Sequence, residues 1–196
     1  MPECNNKLAG EFVQKCGHKP KQGVNRKWYG NVADIDRVAT QLANRGTKVT
    51  ALVLKATAKI YAAGGNDNAH KIAHALSVGD FSTGYVHTDS FSITYRGVNE
   101  SERIQELVDG AKIFSIEEMV DTGEAGETTY KIAGLESGMK IINDDYDSSA
   151  NSGVTQIVCA TKEGEEEATG LKHFLLTAGL AATTEWIEDN VYVPEP

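Results

Sequence analysis

The sequence has no hydrophobic run approaching the roughly 20 residues that a membrane-spanning helix needs, so we expect no membrane partner. It has only three cysteines, an odd and widely spaced set, which argues against a secreted disulfide framework. The first residues, Met-Pro-Glu-Cys-Asn-Asn-Lys, lack the basic and then apolar regions of a secretory signal. We therefore expect a soluble protein that is made in the cytoplasm.

The usual linear motifs of catalysis are also missing. There is no G-x-x-x-x-G-K-[ST], no G-x-G-x-x-G and no G-x-S-x-G, which are the signatures of phosphate binding and of a nucleophile elbow. Ser137-Gly138-Met139-Lys140 matches S-x-x-K, but the companion S-D-N and K-T-G motifs are absent, so a glycine turn explains the match better. We predict that the protein is not an enzyme and uses no cofactor.

Two groups of residues have the composition of a metal site without its spacing. Cys4, Cys16 and His18 could gather around zinc, but they contain no C-x-x-C pair, and no C-x-x-C or H-x3-H pair lies near them in the sequence. The acidic stretch 143–147 resembles the start of a calcium loop, but it lacks the required Gly and the closing Glu. We predict that neither group binds a metal.

His70 and His74 are four residues apart, as two zinc ligands on a helix would be. Lys71 stands where a zinc protease has its catalytic Glu, and no third ligand is apparent nearby. Surface or interface histidines are the preferred interpretation. The alternative from another class is a small metal-dependent hydrolase that uses these histidines or the acids at 143–147.

Positive and negative charge are separated along the chain. Residues 1–60 carry eleven Lys or Arg against four acids, a net charge of +7, and the remainder carries eight bases against twenty-four acids, a net charge of −16. Complementary faces on one chain favour head-to-tail contacts that close into rings or continue as filaments. The alternative interpretation is that both regions are simply solvated surface.

The length of 196 residues and the hydrophobic content of 40% predict one domain with a substantial core. We divide the chain into a basic N-terminal arm (1–22), a single domain (23–187) and a C-terminal tail (188–196). The arm offers four candidate assembly residues, which are Lys7, Lys15, Lys19 and Lys21.

One strand, helix and strand unit is clearly predicted in the middle of the chain. Residues 90–96 alternate apolar and polar side chains, as a strand with one buried face does. A helix is predicted at about 99–109, with Asn99 as N-cap, Glu102 as the capping-box acid and Gly110 after its end. A strand at 111–119 follows.

The remaining pattern favours many short strands. A short helix is predicted at about 34–44 from Val38 and Leu42, and residues 49–62 suit helix or strand but are rich in β-branched residues, which favours strand. Residues 143–153 are predicted as a loop. Further strands are expected at 24–29, 128–133, 139–142, 154–161 and 171–177, with an edge strand at 191–193. The fold class is therefore mainly β, a β-sandwich or barrel-like domain with a flanking helix.

An acidic run lies between two of these predicted strands. It contains four carboxylates, which are Glu163, Glu165, Glu166 and Glu167. An acidic run of this kind usually forms a solvated hairpin tip. The alternative is a functional acidic surface that repels a polyanion or matches a basic patch. These residues are therefore candidate assembly or lumen residues.

Several short segments resemble virion structural proteins of tailed phages and prophages of gut Bacteroidetes. The opening segments are Cys4-Asn5-Asn6, Cys16-Gly17 and Gly23-Val24, before a strand that ends in Trp28-Tyr29. The middle segments, similar to the core of major tail (tail tube) proteins, are Phe91 to Val120, Tyr130-Lys131-Ile132-Ala133-Gly134 and Ser137-Gly138-Met139.

The resemblance implies a β-sandwich with a flanking helix whose protomers form hexameric rings, and stacked rings that make the tube through which DNA leaves the capsid. The implied partners are other copies of the chain, other virion proteins, and DNA that passes without specific binding. The implied location is the virion, after synthesis in the cytoplasm of the bacterial host. A capsid decoration protein or another accessory virion protein is the alternative.

Overall fold

The computed structural model describes residues 11–12, 19, 21–64, 69–79, 83–123, 126–147, 149 and 153–194. This part of the chain is mainly β, as the sequence predicted, with eleven strands and two α-helices. The strands are β1 (Val24–Asn31), β2 (Gln41–Ala43), β3 (Lys48–Ala51), β4 (Tyr61–Ala63), β5 (His70–Val78), β6 (Thr83–Ile93), β7 (Ile113–Met119), β8 (Tyr130–Ala133), β9 (Met139–Asp145), β10 (Thr155–Thr161) and β11 (Lys172–Phe174). The helices are α1 (Val98–Val108) and α2 (Leu180–Asn190).

The strands form one hydrogen-bonded sheet in the order β2-β3-β11-β8-β7-β9-β10-β6-β5, with β1 pairing β7 and β4. The β3 and β11 pair is parallel, and the other strand pairs are antiparallel. β7 meets β9 only at Ile113 and Met139, and the sheet turns over beyond this point. β1 and β6 then face each other, with the rings of Tyr29 and Phe91 5.1 Å apart. Two facing layers are consistent with the predicted β-sandwich.

β7 is central to this arrangement because both of its faces are covered. Five consecutive residues from Ile113 are buried, whereas a strand with one solvated face would alternate. Phe114 and Ile116 point to one side, while Ser115 and Glu117 point to the other, toward the facing layer. A carboxylate in a buried strand therefore ends up in the interior.

Two apolar clusters stabilise the layers, and each fully buried side chain in them contributes about 1.5–3 kcal/mol. The first includes Trp28, Ile116, Ile132 and Phe174 under α2, which adds Ile187 and Trp186. The second lies under α1 and includes Ile104, Ile113, Met139, Ile157 and Cys159.

The helix predicted at about 99–109 is confirmed as α1, but its cap is two residues earlier than expected. Gly97 is the N-cap, and its N–H donates to the Glu100 carboxylate at 3.0 Å, so Asn99 and Glu102 do not have the capping roles. Gly110 follows the helix with φ 109°, as expected for a glycine that ends one.

The helix predicted at 34–44 is wrong. The backbone N–H groups of Val38 and Ala39 donate to the Asp36 side chain at 3.0 and 3.1 Å, which stabilises a turn. Val38 is 96% exposed, so the apolar stripe that suggested a helix has nothing to pack against. The segment contains a 3-10 turn at Val32–Asp34 followed by β2.

The single strand predicted at 49–62 is only partly right. The ends of the segment form β3 and β4, but the chain turns between them, where the Ala58 N–H donates to the Lys55 carbonyl at 3.1 Å and Thr57 has φ 69°. Val49 and Ile60 are nevertheless fully buried in the same apolar cluster.

The C-terminal prediction also needs correction. α2, which was not predicted, continues to Asn190, so the boundary placed between 187 and 188 falls inside a helix. Val191 makes only an isolated parallel bridge with Ile60, and no edge strand forms at 191–193. Similarly, β9 continues to Asp145, three residues into the predicted loop, where Asp144 accepts two hydrogen bonds from Arg96 at 2.8 and 2.9 Å.

Candidate assembly interface

β5 is a nine-residue strand at one end of the sheet, and the sequence analysis did not predict it. It pairs with β6 in unbroken register from His70 and Phe91 to Val78 and Thr83, and no other strand in the described ranges pairs with it. It contains no Pro and no bulge, which are features that discourage an edge strand from pairing with another chain. Lys71 is the one Lys, Arg, Asp or Glu residue in the strand. A long, regular edge of this kind is a template for pairing with another chain.

The apolar face of β5 continues past the region that the opposite layer covers. Ile72, Leu76 and Val78 share one face because side chains alternate along a strand. Ile72 is partly buried in the second apolar cluster, whereas Leu76 is 57% and Val78 is 73% exposed. The end of the strand therefore presents apolar side chains to solvent beside an unpaired backbone edge.

The other free edges in the described chain are short. β2 has three residues and a register shift between Gln41 and Leu42, and β4 has three residues and pairs β1 alone. Leu42 is 40% and Tyr61 48% exposed. Of the edges that the structure describes, β5 is the longest.

The acidic run does not behave as one surface. Glu163 is exposed, while Glu165 and Glu166 are half-buried. The Lys112 ammonium lies 2.5 Å from the Glu165 carboxylate and lowers its pKa. The Glu166 carboxylate accepts the Gly164 N–H at 3.2 Å, and backbone hydrogen bonds lower its pKa. These three carboxylates are accessible to solvent, as an assembly or lumen surface requires.

Glu167 is fully buried, so the expectation of a solvated tip is wrong at this residue. Its carboxylate accepts the N–H groups of Glu136 and Ser137 at 2.9 and 2.8 Å, and it lies 3.6 Å from the Lys172 amine. Its own backbone exchanges two hydrogen bonds with Tyr85. The side chain turns inward because it ties the acidic loop to a neighbouring turn and to β6.

A second group of buried polar side chains lies next to Glu167 and includes His87 and Lys172. His87 has no exposed surface; its Nε2 donates to the Thr169 carbonyl at 2.9 Å and its Nδ1 accepts the Gly134 N–H at 3.0 Å, which requires the neutral ring. Burial lowers the pKa of His87 to about 4. Lys172, also buried, donates to the Thr169 hydroxyl at 2.6 Å. These residues are satisfied by one another, which is the pattern of a structural network.

A third polar group lies between the two layers and has no exposed surface. The Lys27 amine lies 2.5 Å from Asp89 Oδ1 and 2.8 Å from Glu117 Oε1. Lys27 and Glu117 are direct cross-strand neighbours on β1 and β7, while Asp89 comes from β6 in the facing layer. The Tyr29 hydroxyl donates to Asp89 Oδ1 at 3.2 Å. The three ionisable side chains therefore meet at one point in the interior.

This cluster is only partly satisfied. Asp89 Oδ2 and both oxygens of Glu117 accept no aligned hydrogen bond, and the nearby Ser115 hydroxyl also has none. Burial, and then the negative charge of Asp89, raise the pKa of Glu117 well above its usual range, although Lys27 opposes this. Burial therefore favours the protonated form of the Glu117 carboxyl.

Sequence patterns alone did not single out this cluster. Lys27, Asp89 and Glu117 are each a lone charge within a strand pattern and are far apart along the chain. The available signal was a charge inside a strand that is apolar on both sides, as in Ile113 to Met119. Pairing the three residues requires knowledge of which strands face each other.

The candidate metal residues do not come together. His70 and His74 lie on a strand, where four residues span about 13 Å, so they cannot grip one ion as they would on a helix. Within the described parts of the chain, no three His, Cys, Asp or Glu side chains are grouped so as to hold a metal ion. Cys4, Cys16 and His18 lie outside the described residues.

Only half of the candidate lysines of the N-terminal arm can be placed. Lys19 and Lys21 are exposed, and Lys7 and Lys15 lie outside the described residues. Phe12, the arm's one described aromatic residue, is 91% exposed. What is described of the arm therefore contributes nothing to the apolar clusters.

Among the helices described, none is long and apolar enough to cross a membrane. Comparisons of the chain with protein-family models, with curated proteins and with solved structures gave no match.

Proposed function

We propose that this protein is a structural subunit of a phage virion, a tail tube protein that assembles into stacked rings around a passage for DNA. The observation that carries the proposal is the nine-residue free edge of β5, with Leu76 and Val78 exposed beside it. The separation of charge along the chain and the resemblance of its opening and middle segments to such proteins support it.

Strand pairing between copies gives a direct route to a ring. If β5 of one copy pairs with a different edge of the next, such as β2 or β4, the contact is heterologous and closes when the rotation allows. Backbone hydrogen bonds supply register and affinity, and each apolar side chain that becomes fully buried adds about 1.5–3 kcal/mol.

The charge distribution suits a passage for DNA. Residues 61–196 carry a net charge of −16, and acidic walls keep phosphate groups from adhering. Glu163, Glu165 and Glu166 are accessible carboxylates that can face such a passage. The basic start of the chain can then contact an acidic neighbour.

The test is to place charge on the exposed apolar end of β5. Leu76→Lys combined with Val78→Lys should convert rings or short tubes to monomers, because two ammonium groups cannot be buried in a strand-paired contact. The matched control is Val38→Lys combined with Val98→Lys, which changes two residues that are 96% and 87% exposed elsewhere. Light scattering across a wide concentration range and negative-stain microscopy measure the outcome.

Each outcome bears on the proposal. Wild-type protein that stays monomeric at all concentrations contradicts a tail tube subunit. A small oligomer that binds only to a preformed capsid lattice would instead identify a decoration protein. Equal loss of assembly in the test and control variants would show that copies of the protein do not associate through β5 in particular.

A further inference from the structure

We propose that the Lys27 amine and the Asp89 carboxyl join in an intramolecular amide bond, with Glu117 as the catalytic residue. This bond would link β1 to β6 and so connect the two facing layers covalently. The inference rests on the interior cluster alone and is independent of the assembly proposed above.

Proximity is the first argument. The Lys27 nitrogen lies 2.5 Å from Asp89 Oδ1. A carboxyl C–O bond is about 1.2 Å long, so the carboxyl carbon lies within about 3.7 Å of that nitrogen. The separation expected before attack is about 3–3.5 Å, and strands on both sides hold the two side chains in place.

The surroundings favour the reaction over a lasting ion pair. The side chains of Lys27, Asp89 and Glu117 are fully excluded from solvent, and the Tyr29 ring, which packs at a tilt against Phe91, lies 5.7 Å from the Lys27 amine. Keeping two charges in such a place costs free energy, since their attraction only partly offsets their lost hydration. Proton transfer from the amine to the carboxylate gives two neutral groups, and a neutral amine is a nucleophile.

The reaction balances without any added reagent. The lone pair of the neutral Lys27 amine forms a bond to the Asp89 carboxyl carbon, while the Glu117 carboxyl gives its proton to the departing oxygen. The C–O bond then breaks, one water leaves, and Glu117 takes back a proton from the nitrogen. The products are one secondary amide, one water and a Glu117 carboxyl in its starting form.

The assignment of roles follows from the geometry. Asp89 is closer to the amine than Glu117, at 2.5 Å against 2.8 Å. Glu117 lies within reach of the nitrogen and accepts no aligned hydrogen bond, so it is free to exchange a proton. Burial raises the pKa of Glu117, which agrees with a carboxyl that begins as the proton donor.

Intact mass spectrometry of the unfolded wild-type protein tests the bond directly. The mass should be one water lower than the sequence requires. After digestion with trypsin, cleavage after Lys27 should fail, and the peptide 27–37 should be recovered joined to the peptide 72–96, which contains Asp89. An amide-linked lysine no longer presents the charge that trypsin recognises.

Two variants and a control assign the residues. Lys27→Arg should have the full sequence mass, because a guanidinium is not acylated in this way. Glu117→Gln should show little or slow water loss while Lys27 and Asp89 remain. Lys112→Arg is the control: it changes a partly exposed lysine that also lies 2.5 Å from a carboxylate, that of Glu165, and it should lose water like the wild type.

The wild-type measurement decides the matter even if a variant fails to fold. Full sequence mass together with free cleavage after Lys27 would overturn the proposal. Recovery of the peptide 27–37 joined to 113–131, which contains Glu117, would overturn the assignment of Asp89. Unchanged water loss in Glu117→Gln would remove the catalytic role of Glu117.

Discussion

Single residues explain much of the internal structure, because this interior buries charge as well as apolar surface. Among the described residues, six side chains of the Lys, His, Asp and Glu types have at most 1% exposure, and these are Lys27, His87, Asp89, Glu117, Glu167 and Lys172. Buried polar groups of this kind need specific partners, so each is tied to a particular strand or turn.

Close packing at the centre gives the first residue-scale prediction. A Cβ added at Gly30 would lie 2.4 Å from the Phe114 ring, so Gly30→Ala should lower the free energy of unfolding by about 1–3 kcal/mol. Gly64→Ala is the matched control, since nothing lies within 4 Å of its added Cβ. Urea denaturation of both variants measures the difference. Equal stability of the two would contradict the packing described for β1 on β7.

The second residue-scale prediction concerns pH. The pKa of His87 is about 4 in the folded protein against 6.5 for an ordinary histidine, so the unfolded chain binds a proton that the native ring does not between these values. Stability should therefore fall as the pH drops from about 6.5 to 4, by about 3 kcal/mol from this residue.

His87→Gln isolates that contribution. Glutamine can also accept from Gly134 and donate to Thr169, but it does not titrate. Subtracting the pH dependence of the variant's unfolding free energy from that of the wild type removes the carboxylates and the other histidines. A difference that is flat from pH 7 to pH 4 would show that His87 titrates normally in the folded protein.

Among the exposed elements, β5 and the acidic loop are those on which the proposed assembly depends. The loop reaches the solvent through Glu163, Glu165 and Glu166, while Glu167 anchors it in the interior. The three outer carboxylates can therefore be mutated while the buried Glu167 is kept.

Reversing the outer charges tests the proposed passage for DNA. Glu163→Lys, Glu165→Lys and Glu166→Lys together should leave assembly intact but make the assembled protein retain DNA, with an affinity that falls steeply as salt rises. Reduced assembly would instead indicate that these carboxylates contact the basic arm of a neighbour. Assembly yield and DNA retention at two salt concentrations separate these results.

A control with the same change in net charge completes this experiment. Glu102, Glu106 and Glu188 are exposed and lie on the helices, away from the loop. Reversing these three to Lys should give the smaller gain in DNA retention expected from net charge alone. If the loop variant behaves like this control in both measurements, the acidic run has no special role.

For the molecule as a whole, we predict that the N-terminal arm is separable from the folded domain. The first strand begins at Val24, and the described arm residues Glu11, Phe12 and Lys19 are exposed. Deleting residues 1–20 should therefore shift the melting temperature by less than about 4 °C, which corresponds to about 1 kcal/mol for a chain of this size. Association should weaken, because the truncation removes three lysines, Lys7, Lys15 and Lys19, that can complement acidic neighbours.

Calorimetry and light scattering of both chains measure these effects. A truncated chain that melts much earlier would place the arm in the core and make the boundary at 22 wrong. Unchanged association would show that the arm does not contribute to the contacts between copies.

Elements whose signals are local could be predicted from the amino-acid sequence. Apolar alternation predicted the end of β6, the apolar residues at 113, 114 and 116 predicted β7, and an apolar stripe ended by Gly110 predicted α1 within one residue at its start. The mainly β class followed from many such short segments. Such signals act between neighbours in the chain, so the local sequence contains them.

The remaining elements and the buried clusters depend on contacts between residues far apart in the chain, so they are visible only in the tertiary structure. Val38 and Leu42 imitate a helix stripe but have no surface to cover, and β5 becomes a strand because β6 pairs with it. In the sequence Glu167 cannot be distinguished from its acidic neighbours, but in the structure its carboxylate is buried and accepts two backbone N–H groups. The interior cluster of Lys27, Asp89 and Glu117 exists only because two layers face each other, and contacts between residues far apart in the chain are set by packing rather than by local sequence.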